Sequence, residues 1–121
     1  MKNILIVEDD DFFRELIAKR LSSEGFEISE AVDGEQGIEK INAIKPDLII
    51  LDILLPGIDG FEVLSKIKEN SMVSSVPVII LSNLGQKEEV EKGMRLGATD
   101  YLIKAQVTSD EIVSKVKGIL K

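Results

Sequence analysis

Four carboxylates stand in a row at Glu8, Asp9, Asp10 and Asp11, directly behind the aliphatic run Ile4-Leu5-Ile6-Val7. Further along, Asp52 follows Leu48-Ile49-Ile50-Leu51, Ser82 follows Val78-Ile79-Ile80-Leu81, and Lys104 follows Tyr101-Leu102-Ile103. Two like charges about 4 Å apart repel by roughly 4 kcal/mol at an effective dielectric of about 20, so acids crowded behind a buried segment need a counter-charge. The chain has no His and no Cys, which removes imidazole bases, thiol nucleophiles and zinc sites of the usual ligand type. Any metal must be held by oxygen, which favours hard cations such as magnesium, manganese or calcium. Magnesium keeps several waters and commonly takes one or two carboxylates plus phosphate oxygens. Asp9 and Asp52 would supply the carboxylates. Ser82 could hydrogen-bond a phosphoryl oxygen and Lys104 could neutralise its charge, which is the positioning and electrostatics that phosphoryl transfer needs. With His and Cys absent, the covalent acceptor would be a carboxylate, Asp52 first among them.

Those side chains can meet only if the segments carrying them run side by side. Short aliphatic runs at about residues 3–7, 26–31, 47–52, 76–82 and 100–103 are too short for buried helices and read as strands. Helical spacing fills the intervals: Phe13, Leu16, Ile17 and Leu21 in the first, Ile38, Ile41 and Ile44 in the second, Phe61, Leu64 and Ile67 in the third. The fourth interval, with Val90, Met94 and glycines at 93 and 97, has the weakest helical pattern. In the fifth, Thr108-Ser109-Asp110-Glu111 fits a capping box ahead of Ile112, Val113, Val116, Ile119 and Leu120. Strands alternating with helices predict an α/β fold with a parallel sheet covered on both faces, the third and fourth strands central. A flavodoxin-like, doubly wound (βα)5 arrangement in the order 2-1-3-4-5 places ligands beyond the C-terminal strand ends, where Glu8, Asp9, Asp52, Ser82 and Lys104 all fall. Asp10 and Asp11 read as a helix start and Asp59 as the cap of the third helix. Phe12, Phe13, Phe26 and Phe61 read as core or staple residues.

At 121 residues, 44% hydrophobic and 31% charged, the chain is one globular domain with no linker or repeat. A net charge of -7 argues against direct nucleic-acid binding, which draws its affinity from Lys and Arg on phosphates. No apolar run approaches the roughly 20 residues of a membrane helix, the N-terminal run ends in acid unlike a signal peptide, and a cytoplasmic location without membrane contact is expected.

Together Ile6-Val7-Glu8-Asp9-Asp10, the stretch Leu48 to Gly60 (LIILDILLPGIDG), Val78-Ile79-Ile80-Leu81-Ser82 and Gly97-Ala98-Thr99-Asp100-Tyr101-Leu102-Ile103-Lys104 resemble the receiver domain of two-component response regulators. The resemblance covers essentially the whole chain, and implies one receiver domain over residues 1–121 with no effector domain. It implies that Asp52 accepts a phosphoryl group from the phosphohistidine of a sensor histidine kinase or phosphotransfer protein. It implies Mg2+, for which Mn2+ can substitute, bound by Asp9, Asp52 and the backbone carbonyl of Leu54, with Glu8 acting mostly through a water on the metal. Ser82 and Lys104 would ligand the aspartyl phosphate, and Ser82 and Tyr101 would carry the switch to an output partner. Self-dephosphorylation would be slow, because Leu54 and Leu84, two positions after Asp52 and Ser82, are apolar. The resemblance leaves a phosphorylation-dependent homodimer open.

Three positions depart from the family pattern. Ala105 stands where a proline usually follows the lysine, so a trans or strained loop is expected there. Glu8 replaces the commoner Asp, and Asn83 replaces a small residue. Two other function classes remain beside the receiver. A hydrolase with an aspartyl-phosphate intermediate would want a second acid where Leu54 stands, whereas a degenerate receiver would act only as an interaction module.

Overall fold

A computed structural model describes residues 1–120. The chain alternates through β1 (Asn3–Val7), α1 (Asp11–Ser23), β2 (Glu27–Ala31), α2 (Gly34–Ile44), β3 (Leu48–Leu51), α3 (Gly60–Glu69), β4 (Val78–Ser82), α4 (Lys87–Arg95), β5 (Asp100–Ile103) and α5 (Ser109–Leu120). The five strands form one parallel sheet in the order β2-β1-β3-β4-β5, the flavodoxin-like order expected. β3 and β4 are buried along their whole lengths, as two-sided apolar strands must be in a sheet covered on both faces.

The period of two along each strand divides the core. Ile4, Ile6, Leu48, Ile50, Ile79 and Leu81 pack against Ile17 and Leu21 of α1 and Ile112, Val113 and Val116 of α5. Leu5, Val7, Ile49, Leu51, Val78 and Ile80 point the other way, onto Ile41 of α2 and Phe61, Val63, Leu64 and Ile67 of α3. Val90 of α4 packs on this second face as well, so two helices cover one face and three the other.

Helix starts follow the capping chemistry. Asp10 and Asp59 each accept a bond from the amide three residues on, at 3.1 and 3.0 Å. Thr108 and Glu111 exchange reciprocal bonds of 3.1 and 2.9 Å, completing the capping box of α5. The weak pattern at 87–95 nonetheless forms α4, because Gly93 lets the helix lie close on the sheet. A Cβ there would sit 2.7 Å from Ile80 Cδ1 and 2.9 Å from Tyr101 Cδ2.

Several apolar residues assigned inward are outside. Phe12 is 78% exposed and so is not a core or staple residue; Leu16, Ile44 and Met94 are also exposed. The Asp10 cap fixes the rotation of α1, and the inward line then runs through Arg14, Ile17 and Leu21. At about 100° per residue, position 12 falls well outside that line.

Candidate functional site

Parallel register brings the acids together. Val7 pairs with Leu51, the Asp52 amide donates to the Val7 carbonyl at 3.0 Å, and Glu8 and Asp52 therefore leave adjacent strands side by side. One carboxylate oxygen from each of Glu8, Asp9 and Asp52 lies within 4.8 Å of the others. Glu8 is 3% and Asp52 4% exposed, whereas Asp9 opens to solvent. The loop after Asp52 can fold back over the strand end because Gly60 has no side chain; a Cβ there would lie 2.3 Å from the Asp52 carbonyl oxygen.

Lys104 reaches the same place from the first residue of a short 3-10 turn spanning Lys104–Gln106. Its Nζ lies 2.7 Å from Glu8 Oε1 and 2.9 Å from Asp52 Oδ2, and 4.6 Å from the centre of the Phe13 ring. Every peptide bond among the described residues is trans, including that between Lys104 and Ala105, and the lysine is delivered to the acids all the same. Each buried carboxylate uses its second oxygen on a backbone amide. Asp52 Oδ1 accepts from Leu54 at 3.1 Å and Glu8 Oε2 from Asp10 at 3.1 Å. Leu54 thus touches the site through its N–H, while its side chain is exposed.

Ser82 and Tyr101 form a second group beside the charges. Ser82 is fully buried at the end of β4, and its Oγ accepts from the Leu84 amide at 3.3 Å. The Tyr101 hydroxyl donates to the carbonyl of the same Leu84. Asn83, between them in sequence, is exposed.

The titration behaviour follows from this crowding. Burial, aided by the Asp52 charge and only partly offset by bonds from Lys104 and Asp10, pushes the Glu8 carboxyl up to about 7. Burial works against the Lys104 ammonium, but its bonds to Glu8 and Asp52 outweigh this and hold its pKa above the usual lysine value. Burial, with the charges of Glu89 and Asp52, also raises the Tyr101 hydroxyl. Three carboxylates against one ammonium leave two negative charges when all are ionised. An all-oxygen donor set with that excess fits a hard divalent cation.

Arg14 was not singled out from sequence. It is 8% exposed and donates from Nη1 to the Glu8 carbonyl at 2.8 Å. The signal was present in the helical phase: position 14 lies three residues before Ile17 and seven before Leu21, so a charged residue occupies a buried stripe.

Comparison with known proteins accords with this geometry. The model of the response regulator receiver domain matches residues 4–117. The DNA-binding dual master transcriptional regulator RpaA of Synechocystis is 35% identical over all of this chain and 50% of its own length. The phosphate regulon transcriptional regulatory protein PhoB of Escherichia coli is 34% identical over 99% of this chain and 52% of its own. The chain thus spans about half the length of the curated relatives it matches. A putative response regulator from Chloroflexus aurantiacus superposes with a TM-score of 0.92 at 34% identity, covering 98% of this chain and 97% of that one. The BeF3-activated receiver domain of Klebsiella pneumoniae RstA does so with a TM-score of 0.92 at 28% identity, covering 99% of each.

Proposed function

The chain belongs to the response regulator receiver domain family, the signalling module of two-component systems, and from that premise we propose that Asp52 accepts a phosphoryl group with Mg2+ present. The donor is the phosphohistidine of a sensor histidine kinase or phosphotransfer protein. The observation that carries this reading is the meeting of Glu8, Asp9 and Asp52 at one strand edge with Lys104 shared between two of them.

Asp9, Asp52 and the Leu54 carbonyl would hold the cation, with Glu8 acting through water and Mn2+ able to substitute. The cation supplies charge neutralisation of the phosphoryl oxygens. An Asp52 carboxylate oxygen forms the new O–P bond as the donor N–P bond breaks, and that electron pair stays on the departing imidazole. Asp52 is 4% exposed, so a donor must enter nearly in line. Lys104 passes from Asp52 Oδ2 to the phosphoryl oxygens, and the Ser82 hydroxyl turns to donate to another. Ser82 and Tyr101, joined through Leu84, then carry the change to the surface. Burial of the acid together with the apolar Leu54 and Leu84 favours a long-lived phosphoryl group.

Phe12 and Leu16 lie exposed one turn apart at the start of α1, close in sequence to Asp9, and give a docking protein an apolar foothold beside the site. No helix among the described residues is long and apolar enough to cross a membrane, and we place the chain in the cytoplasm as a single receiver. Its output passes to a partner or to a further region of a longer protein, as the doubled length of the curated relatives suggests. Homodimerisation on phosphorylation is one form that output could take.

Incubation with acetyl phosphate and magnesium chloride, followed by intact-mass measurement, tests the reading. A stable gain of one phosphoryl group that Asp52→Asn abolishes is expected. Steady turnover of phosphate esters would mark a hydrolase, and no adduct would mark an interaction module; either result overturns the proposal.

A further inference from the structure

Arg14 stands outside the acid cluster yet bonds the backbone on which it is built. Glu8 and Asp9 belong to a bridge of three residues between β1 and α1, Glu8 to Asp10. The peptide joining them carries the Glu8 carbonyl, and the direction of that carbonyl decides where the Asp9 side chain leaves the chain. Arg14 Nη1 donates to this oxygen at 2.8 Å in a buried contact. The guanidinium is itself fixed from two further sides, Nε on Glu30 Oε1 of β2 at 3.0 Å and Nη2 on Asp11 Oδ1 at 2.7 Å. On the other side of the same residue, the Glu8 amide is tied to the Ala31 carbonyl at the end of β2 at 3.0 Å. A planar donor held in three directions is rigid in a way that a single lysine ammonium cannot match.

We infer that Arg14 is a positioning residue for the divalent-cation site, aiming Asp9 by clamping the Glu8 carbonyl against α1 and β2. The inference rests on the metal reading of Glu8, Asp9 and Asp52 given above. It also differs in sign from a purely electrostatic role. Arg14 is a positive charge close to the acids, and removing it strengthens their attraction for a cation if charge is all it contributes. Loss of aim has the opposite effect, and disturbing the groups that orient metal ligands typically weakens binding about tenfold or more.

Isothermal titration of the full chain with magnesium chloride alone reads this directly, with thermal unfolding followed alongside. The wild type should bind Mg2+. Arg14→Ala should bind it about tenfold more weakly at a temperature where its unfolding curve shows it folded, and Arg14→Lys should fall between the two. If Arg14→Ala does not fold, the weakened binding is expected in Arg14→Lys. A folded variant that binds as tightly as the wild type, or more tightly, would overturn the positioning role while leaving the metal site intact. A wild type that takes up no Mg2+ overturns that site and this inference with it.

Discussion

Replacing Glu8 by Gln should change how stability depends on pH in the metal-free protein, and the size of the effect can be worked out. In the unfolded chain the Glu8 carboxyl titrates near 4.5, whereas burial and the neighbouring Asp52 charge raise it to about 7 in the fold. A raised carboxyl keeps its proton in the native state after the unfolded state has lost it. The native state therefore binds more protons between the two values, and rising pH favours unfolding. The contribution is fully present below pH 4.5 and lost as pH passes through about 7. At about 1.4 kcal/mol per unit, the wild type should lose about 2.5 kcal/mol between about pH 5 and pH 8 from this group alone.

The chain suits the measurement because it has no histidine, so no ordinary side chain titrates across that window. Glutamine keeps one acceptor oxygen where Glu8 uses two, one for Lys104 and one for the Asp10 amide, and the fixed cost of the lost bond shifts its curve without tilting it. Urea unfolding followed by circular dichroism, in chelator at several pH values, gives both curves. The difference between wild type and Glu8→Gln should slope from pH 5 to 7 and level off above. Parallel curves would show that Glu8 is not held protonated by its surroundings. Saturating Mg2+ should remove most of the slope, since a cation at the acids favours the ionised form.

Asp9→Ala should abolish magnesium-dependent phosphorylation by acetyl phosphate, while Asp11→Ala, which removes one exposed contact of Arg14 but leaves those to the Glu8 carbonyl and Glu30, should lower the rate far less. Equal losses would place Asp11 in the site. Gly93→Ala should destabilise by about 1–2 kcal/mol in urea, because overpacking against Ile80 and Tyr101 exceeds the gain in helix propensity; a neutral or stabilised variant would show that α4 can retreat freely. Leu54→Asn, which sets an amide beside Asp52 where water can be oriented, should shorten the phosphoryl lifetime several-fold by intact-mass time course. An unchanged lifetime would remove Leu54 as the cause of slow hydrolysis.

The fold was readable because the signals that specify it are local. Alternating four- and five-residue aliphatic runs with amphipathic intervals leave few parallel arrangements, and the strand-end rule then lists Glu8, Asp9, Asp52, Ser82 and Lys104 without knowledge of any distance. What escaped depends on rotation about a helix axis or on contacts between elements. Phe12 and Phe13 are neighbours of one type, yet the first is exposed and the second lies under Lys104; only the Asp10 cap sets which is which. Arg14 hides in an apolar stripe as a charge. The two bonds meeting on Leu84 involve its backbone, about which its side chain carries no information. At Ala105 the expected trans loop is what forms, and from the first residue of the 3-10 turn Lys104 reaches both acids, a contact between elements that the motif alone does not contain.

Under the phosphorylation proposed for Asp52, the charge balance at the site gives a reason for a switch to follow. Glu8, Asp9 and Asp52, when ionised, would be matched by Lys104 and a bound divalent cation. Phosphorylation of Asp52, as proposed, would remove one carboxylate charge and add about two from the phosphoryl group, leaving roughly one negative charge unmatched beside Asp52, which is 4% exposed. The excess would fall beside donors already present. Lys104 is one; the Ser82 hydroxyl, buried at the neighbouring strand end, is another. A swing of Oγ toward Asp52 to donate there would stretch the already long 3.3 Å bond it accepts from the Leu84 amide, and the carbonyl of Leu84 is what the Tyr101 hydroxyl holds. An electrostatic demand at Asp52 would in this way become a backbone displacement between β4 and α4, with Tyr101 obliged to follow or to lose its partner.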